Sequence, residues 1–304
     1  MKTLKTGWQV GAIGGLIVVA FGFSLKAQAF TSPIEVSFPS LDAPAGLAVQ
    51  LKAFWAAAPD LSQSLQATSE APAVVLLHGC GGPYNVRGAL SQRMLDYTAL
   101  LQAQGFHVLV LDSLTPRGER ELCTQKMGTR KVTMLQRRAD ALAAVAWVAA
   151  QPGVNVKRIG LLGWSNGGSA VLSATNERHA EVASAAVKPA FAVAFYPGCE
   201  ADLKRGYQHT ARVLLLVGEA DDWTPAAPCK RLAQQAEHSL ASRDATFEID
   251  AYPGAFHGFD STAPLRVRKD VPNGVNPGQG VTVGGDPEAL KQSRARLIQF
   301  ITAR

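Results

Sequence analysis

The chain has 304 residues and a formal net charge of +6 at pH 7, and half of that charge comes from three lysines before residue 30. The rest of the chain is only mildly basic, so its composition indicates no nucleic-acid partner. Residues 30–304 could form one domain or two smaller ones. They contain no Ser- or Pro-rich linker and no repeat, so we expect a single domain.

The first 29 residues are predicted to be a secretory signal peptide. A basic start is followed by the uncharged apolar stretch Gly11–Leu25, and an A-x-A-like cleavage signal ends at Ala29. An uncleaved membrane anchor is the alternative, but the apolar run is shorter than the ~20 residues that a spanning helix prefers. We therefore expect cleavage before Phe30, export to the periplasm or the medium, and no stable membrane span afterwards.

Apolar runs and helical patterns then alternate along the chain. The predicted strands are Ile34–Phe38, Leu47–Phe54, Val74–Leu77, His107–Leu111, Arg158–Leu162, Phe191–Tyr196, Val213–Val217 and Ala245–Tyr252. The predicted helices are Leu90–Gln104, residues 132–151, Lys230–Ser242 and Pro287–Ala303. Continuous apolar strands separated by helices indicate an α/β fold with a mostly parallel sheet covered on both faces. In such sheets, functional sites form beyond the carboxyl ends of the strands.

Four cysteines follow predicted strand ends, and an exported protein meets an oxidising compartment in which disulfides persist. Four cysteines allow three pairings. We favour Cys80–Cys123 and Cys199–Cys229, because each pair would then lie at one rim of the sheet. The alternative is four small buried thiols. The spacing does not resemble a zinc site.

The strand at Arg158–Leu162 leads into Gly-Trp-Ser-Asn-Gly, the G-x-S-x-G pattern of a nucleophile elbow. In this turn a strand ends, the chain turns sharply and a helix begins. Glycine is needed at 163 and 167 because the tight turn leaves no room for Cβ atoms near the serine. Ser165 is therefore the predicted nucleophile.

Two later strand ends supply a candidate acid and a candidate base. The strand Val213–Val217 precedes a loop with three acidic residues, and His257 follows the strand that ends at Tyr252. The chain order serine, acid, histidine is the one expected for an α/β-hydrolase. His257 would accept the serine proton, and the acid would orient the imidazole and stabilise the imidazolium.

The sequence leaves alternatives for the base and for the acid. His238 also lies beyond the acidic loop, but it falls inside a predicted helix and is interpreted as a surface residue. Glu219, Asp221 and Asp222 compete for the role of the acid.

The strand Val74–Leu77 is followed by the glycine-rich turn His78-Gly-Cys-Gly-Gly. Backbone amides in such a turn can approach a developing oxyanion because the glycines leave space. The predicted donors are the N–H groups of Cys80 and Asn166, and an ordinary glycine-rich turn is the alternative.

Five segments in this order resemble the dienelactone hydrolase family. They are His78–Gly82, Asp112–Gly118, Gly163–Gly168, Gly218–Pro225 and Tyr252–Phe259. The resemblance covers the chain from about residue 45 to the C-terminus. It implies an α/β-hydrolase fold, and it implies Asp221 as the acid, because the setting Gly218-x-x-Asp221-x-x-x-Pro225 is the family's. A hydrolase of this kind requires no metal or organic cofactor.

The resemblance also bears on substrate binding. The namesake enzymes typically use a cysteine nucleophile, where this chain has Ser165, and they hold the substrate carboxylate with two arginines. Arg117 matches the position of one arginine and is predicted to bind substrate. The structural alternative is that it caps a helix or pairs with Glu119 or Glu121. Arg266 and Arg268 match the second arginine only loosely.

Aromatic residues and a long segment without periodicity are expected next to the triad. Trp164, Trp223 and Phe259 are predicted to line an apolar acyl pocket, with plain core packing as the alternative. The segment Thr262–Asp286 lacks periodicity, and we expect a long loop that could cover the site.

The sequence therefore predicts an exported serine hydrolase that cleaves a small carboxylic ester or lactone through an acyl-enzyme. A peptidase or amidase of the same fold is the first alternative. A non-catalytic binding protein is the second.

Overall fold

A computed structural model gives the structure, and it describes residues 3, 30–43, 46–59, 70–238 and 246–303. The predicted signal peptide, apart from Thr3, lies outside the described residues. Within the described ranges, no helix is both long enough and apolar enough to cross a membrane.

A single eight-stranded sheet runs through the molecule. Its strands are β1 (Ile34–Pro39), β2 (Gln50–Ala56), β3 (Ala71–Leu77), β4 (His107–Asp112), β5 (Val154–Trp164), β6 (Phe191–Phe195), β7 (Arg212–Gly218) and β8 (Phe247–Tyr252). The order across the sheet is β1-β2-β4-β3-β5-β6-β7-β8. The pairs β1–β2 and β2–β4 are antiparallel, and the pairs from β4 to β8 are parallel. The carboxyl ends of β3 to β8 therefore meet at one edge of the sheet.

Helices cover both faces of this sheet. They are α1 (Gln92–Gln102), α2 (Met134–Ala149), α3 (Asn166–Thr175), α4 (Ala180–Ala183), α5 (Glu200–Arg205), α6 (Ala226–His238) and α7 (Pro287–Thr302). One apolar core joins α2, α3 and α6 to the sheet, and a second core joins α1 and α7 to the opposite face. Successive strand residues alternate between the cores, as Val75 and Val74 do. The predicted mostly parallel sheet with helices on both faces is confirmed.

Some element boundaries differ from the prediction. The helix predicted to begin at Lys230 begins four residues earlier, at Ala226, and the described part of it ends at His238. Residues 239–245 lie outside the described residues, and they include the predicted end of this helix and the predicted start of the following strand.

The expectation of an irregular loop at Thr262–Asp286 is corrected by the structure. Two short antiparallel strands, β9 (Arg266–Arg268) and β10 (Val281–Val283), pair within this segment, which we call the β9–β10 segment. Strands of three residues are too short to produce a recognisable alternation of apolar and polar side chains.

Candidate active site

Ser165 stands in a strained turn between β5 and α3. Its φ and ψ are 53° and −119°, in a region that non-glycine residues rarely occupy. A Cβ on Gly163 would lie 2.3 Å from the Gly167 carbonyl oxygen, and a Cβ on Gly167 would lie 2.0 Å from the Leu77 carbonyl oxygen. Only glycine fits at either position, which is the reason that the sequence pattern suggested.

The structure brings the three residues of the predicted triad into hydrogen-bond contact. His257 Nε2 lies 2.9 Å from Ser165 Oγ, and His257 Nδ1 lies 2.8 Å from Asp221 Oδ2. The three side chains follow β5, β7 and β8, and all three residues are buried. A proton on Nδ1 that is donated to Asp221 leaves Nε2 free to accept the proton of the Ser165 hydroxyl.

Asp221 is itself held in place by backbone donors. The N–H groups of Trp223 and Thr224 each donate to Asp221 Oδ1 at 2.8 Å. The Thr224 hydroxyl donates to the Tyr196 carbonyl oxygen at 2.9 Å and lies 3.0 Å from both Asp221 Oδ2 and His257 Nδ1. Thr224 was not singled out from the sequence, and its position three residues after the acid is the only local signal.

The alternative acids have other partners. Thr282 donates to both carboxylate oxygens of Asp222 at 2.8 Å, once through its backbone N–H and once through its hydroxyl. Glu219 pairs with Lys230 at 2.5 Å. Of the three competing acids, Asp221 is the one in contact with His257. His238, the alternative base, is the last described residue of α6.

The two segments with the predicted oxyanion donors flank Ser165. Asn166 is the first residue of α3, where the leading N–H groups have no acceptor within the helix. A Cβ on Gly79 would lie 3.7 Å from the Ser165 Cβ, so the turn after β3 runs beside the serine. Cys80 and Ser165 line the same pocket.

His78 stabilises the turn after β3. Its Nδ1 donates to the Gly79 carbonyl oxygen at 2.7 Å. Burial of the ring, together with the nearby positive charge of Arg137, lowers the pKa of His78 to about 3. The imidazole is therefore neutral at physiological pH, and the turn carries no charge from this side chain.

Both predicted disulfides are confirmed. Cys80 bonds to Cys123 and Cys199 bonds to Cys229, so the alternative of free buried thiols is excluded for these four residues. The Leu122 N–H also donates to the Cys80 carbonyl oxygen at 2.7 Å. The turn after β3 is thus fastened to the loop around residue 123 by a covalent bond and a hydrogen bond.

A pocket of about 440 Å³ opens above Ser165. Trp164 and Trp223 both line it, and the Trp223 ring lies 4.6 Å from the His257 ring. Phe259 is not among the described residues that line the pocket. It is fully buried against Tyr196 and Tyr252, in agreement with the core-packing alternative.

Arg117, which was predicted to bind substrate, is not among the described residues that line the pocket. Its two terminal nitrogens donate to the two carboxylate oxygens of Asp140 at 2.8 Å, and one of them also reaches Asp42 at 3.3 Å. The expected substrate contact is therefore corrected. Arg117 is held in an ion pair away from the pocket, and its partner is Asp140 instead of Glu119 or Glu121.

A buried carboxylate that no sequence pattern indicated, Asp260, lies at the wall of the pocket. Asp260 is 2% exposed and accepts four hydrogen bonds from side chains of α1, β5 and the loop after β6. The donors are Arg93 at 3.0 Å, Tyr97 at 2.9 Å, Trp164 Nε1 at 2.8 Å and Tyr196 at 2.6 Å. Burial and the Asp260 charge both raise the pKa of Tyr97 and Tyr196, so these hydroxyls stay protonated and donate.

The β9–β10 segment forms one side of the pocket and contacts both loops of the triad. Gly284 N–H donates to the His257 carbonyl oxygen at 3.0 Å, and Thr282 binds Asp222 as described. Arg266, Arg268 and Val283 of this segment line the pocket. The segment is therefore tied to the acid loop and to the histidine loop.

Several solved structures share the fold of this chain. A candidate dienelactone hydrolase from Klebsiella pneumoniae subsp. pneumoniae has a similar structure, with a TM-score of 0.60 and 18% identity over 90% of this chain and 100% of that one. A dienelactone hydrolase-like promiscuous phosphotriesterase from metagenomic libraries has a TM-score of 0.59 and 15% identity, over 89% and 98% of the two chains. Dipeptidyl peptidase 4 of Porphyromonas gingivalis has a TM-score of 0.59 and 18% identity, over 93% of this chain but only 37% of the peptidase.

These similarities establish the fold, and the predicted α/β-hydrolase fold is confirmed. The family model described as "Dienelactone hydrolase family" matches residues 61–303. This match covers most of the chain and every residue of the site described above. The chain belongs to the dienelactone hydrolase family.

Proposed function

We propose that the protein is an exported serine hydrolase that cleaves small carboxylic esters or lactones through an acyl-enzyme. The observation that carries the proposal is the continuous series of hydrogen bonds from Ser165 through His257 to Asp221, at 2.9 and 2.8 Å. A serine hydroxyl is a poor nucleophile unless an adjacent base accepts its proton, and this series supports that transfer.

In the proposed first half-reaction, Ser165 Oγ attacks the ester carbonyl carbon while its proton moves to His257 Nε2. The carbonyl π-electron pair moves onto oxygen, and the N–H groups of Cys80 and Asn166 stabilise the resulting oxyanion. When the tetrahedral intermediate collapses, the bond to the alkoxy oxygen breaks. His257 then gives the proton to the leaving alcohol.

In the second half-reaction, water attacks the acyl-enzyme and gives a proton to His257. The new tetrahedral intermediate releases the acid and returns the proton to Ser165 Oγ. A lactone follows the same route, except that its alcohol and acid remain in one product. Asp221 accepts the hydrogen bond from His257 Nδ1 and stabilises the imidazolium in both half-reactions.

The pocket supports a small substrate. Its volume of about 440 Å³ is near the lower end of the roughly 300–1,000 Å³ range of small-molecule sites. Trp164 and Trp223 supply apolar surface for an acyl group beside Ser165. The two disulfides support export, because such bonds persist in oxidising compartments.

A fluorophosphonate probe tests whether Ser165 is an activated nucleophile. We expect labelling of the wild type, and no labelling of Ser165→Ala, whose hydrolysis of a p-nitrophenyl ester should fall by several orders of magnitude. Equal labelling of the two proteins, or no labelling of either, would contradict the proposal.

A matched pair of substrates tests the reaction class. A p-nitrophenyl ester and a p-nitroanilide with the same short acyl group differ only in the bond that is cleaved. We expect a higher kcat/KM for the ester. A higher value for the anilide would replace the esterase proposal with the peptidase or amidase alternative.

A further inference from the structure

The two segments that carry the proposed oxyanion donors come from distant parts of the chain and pack closely against each other. A Cβ on Gly167 would lie 2.0 Å from the Leu77 carbonyl oxygen and 2.5 Å from the His78 carbonyl oxygen. The start of α3 is therefore pressed against the end of β3. The relative position of the Cys80 and Asn166 amides depends on this junction.

The side chain of Arg137 bridges the start of α3 and the turn after β3. Its Nη1 donates to the Asn166 side-chain oxygen at 2.6 Å, and its Nη2 donates to the His78 carbonyl oxygen at 2.7 Å. Asn166 follows the nucleophile directly, and His78 lies two residues before Cys80. One rigid, planar guanidinium thus links both donor segments in a fixed geometry.

The contacts of Arg137 are unusual for a buried cation. The residue is 1% exposed, and its two hydrogen-bonded acceptors are amide oxygens, whereas a buried charge is ordinarily paired with an opposite charge. Burial lowers the pKa of Arg137 to about 10, while the more distant Asp140 and Asp112 oppose this shift. The guanidinium therefore stays charged at neutral pH and donates strong hydrogen bonds to both segments.

We infer that Arg137 is a positioning residue for the oxyanion hole. By holding the Asn166 side chain and the His78 carbonyl, it sets the distance and angle between the amides of Asn166 and Cys80. The inference rests on the proposed function, because only a hydrolase with a tetrahedral intermediate needs two converging donors. Preorganised donors favour the transition state over the bound substrate, so loss of Arg137 should lower kcat and leave KM nearly unchanged.

The neighbouring Arg138 provides a matched control. It lies on the same helix and is also buried, but it pairs with Glu181 and donates to Ser173 at 2.9 Å. Replacing Arg138 therefore removes a buried guanidinium that links α2 to α3 without touching either donor segment.

The test compares Arg137→Met, Arg137→Lys and Arg138→Met with the wild type in hydrolysis of a p-nitrophenyl ester. For Arg137→Met we expect kcat to fall about 10- to 100-fold with KM within about threefold, a smaller loss than the 10²- to 10³-fold of a deleted donor. The lysine variant should recover part of kcat, because an ammonium can still donate to these oxygens. Arg138→Met should keep kcat within about twofold, since it contacts neither donor segment.

A trifluoromethyl ketone supplies a readout that a general loss of packing would not change. It adds to the serine as a tetrahedral adduct with an oxyanion, so its Ki should rise by the same factor by which kcat/KM falls in Arg137→Met. Wild-type kcat and Ki in Arg137→Met would overturn the inference. Equal losses in Arg138→Met would overturn it as well.

Asn166→Ala keeps the inference testable if Arg137→Met does not fold. This variant retains the backbone N–H and removes the side-chain oxygen that Arg137 holds. We expect a lower kcat and a higher Ki at temperatures well below the unfolding transition, together with a lower Tm, because Arg137 loses one acceptor. Wild-type values of kcat and Ki would overturn the inference. A wild-type protein with neither esterase activity nor probe labelling would instead overturn the proposed function, and the inference with it.

Discussion

The two disulfides close loops of similar length, but only one of them borders the Ser165 pocket in the described structure. The bonded cysteines are 43 residues apart in Cys80–Cys123 and 30 residues apart in Cys199–Cys229. A disulfide lowers the conformational entropy of the unfolded chain by an amount that grows with the length of the closed loop. For these two loops the expected stabilisation of the folded state is about 4.0 and about 3.6 kcal/mol. Double alanine variants that remove either bond should therefore lose nearly the same free energy of unfolding.

The two variants should differ in catalysis. Cys80→Ala/Cys123→Ala keeps the backbone N–H at position 80, but it frees the turn that carries this donor from the loop around residue 123. We expect kcat to fall about tenfold, well short of the 10²- to 10³-fold loss caused by deleting a donor. Cys199→Ala/Cys229→Ala should keep kcat within about twofold, because that bond lies outside the pocket.

Urea unfolding measures the free energies, and initial rates at saturating p-nitrophenyl ester measure kcat well below the unfolding transition. Equal losses of kcat in both double variants would refute the expectation that the Cys80–Cys123 bond positions the donor, because a loss of stability alone would then explain the effect. This expectation is also refuted if the Cys80→Ala/Cys123→Ala variant retains full kcat.

Three further predictions concern the surroundings of the site. Asp260→Asn should lower the free energy of unfolding by about 3 kcal/mol, because Arg93 loses the buried carboxylate with which it pairs. Urea unfolding measures this loss, and an unchanged urea midpoint would contradict the prediction. Thr282→Val removes one of two bonds to Asp222 and should cost about 1 kcal/mol. It should also change the relative kcat/KM values across an ester panel, and an identical profile would show that the β9–β10 segment does not shape the pocket. The folded pKa of His78 is lowered from 6.5 to about 3, so the unfolded chain binds the additional proton between these values. Stability should therefore fall as pH drops from 6.5 towards 3, by up to about 1.4 kcal/mol per pH unit from this residue, and His78→Gln should show a shallower pH dependence of urea midpoints.

The local features of the site could be predicted from the sequence because they depend on short-range backbone geometry. The G-x-S-x-G turn is specified by five consecutive residues, and the steric need for glycine at 163 and 167 is visible in the structure. Apolar runs marked the strands, and the carboxyl ends of parallel strands meet at one edge. Strand order placed the candidate base and the loop with the three candidate acids at this edge, and it also led to the disulfide pairing that the structure confirms.

The choice among neighbouring polar residues depended on tertiary contacts. Asp221 and Asp222 are adjacent in sequence, yet one contacts His257 and the other binds Thr282. Arg117 was expected at the substrate, but it pairs with Asp140, 23 residues away. No local pattern distinguishes these alternatives, because a side chain's partner is decided by which loops and helices pack beside it.

The sequence by itself predicted the parallel sheet and the two disulfides, which the structure confirms, and it indicated Ser165 as the candidate nucleophile and the chain order of a candidate triad. Each of these follows from periodicity, turn sterics or strand order. Only the tertiary structure revealed the contacts of Asp260 and Arg137. Asp260 meets Arg93 across 167 residues, and Arg137 meets His78 across 59. Contacts at such separations depend on how the helices pack on the sheet, and a single charged residue in a sequence carries no mark of its distant partner.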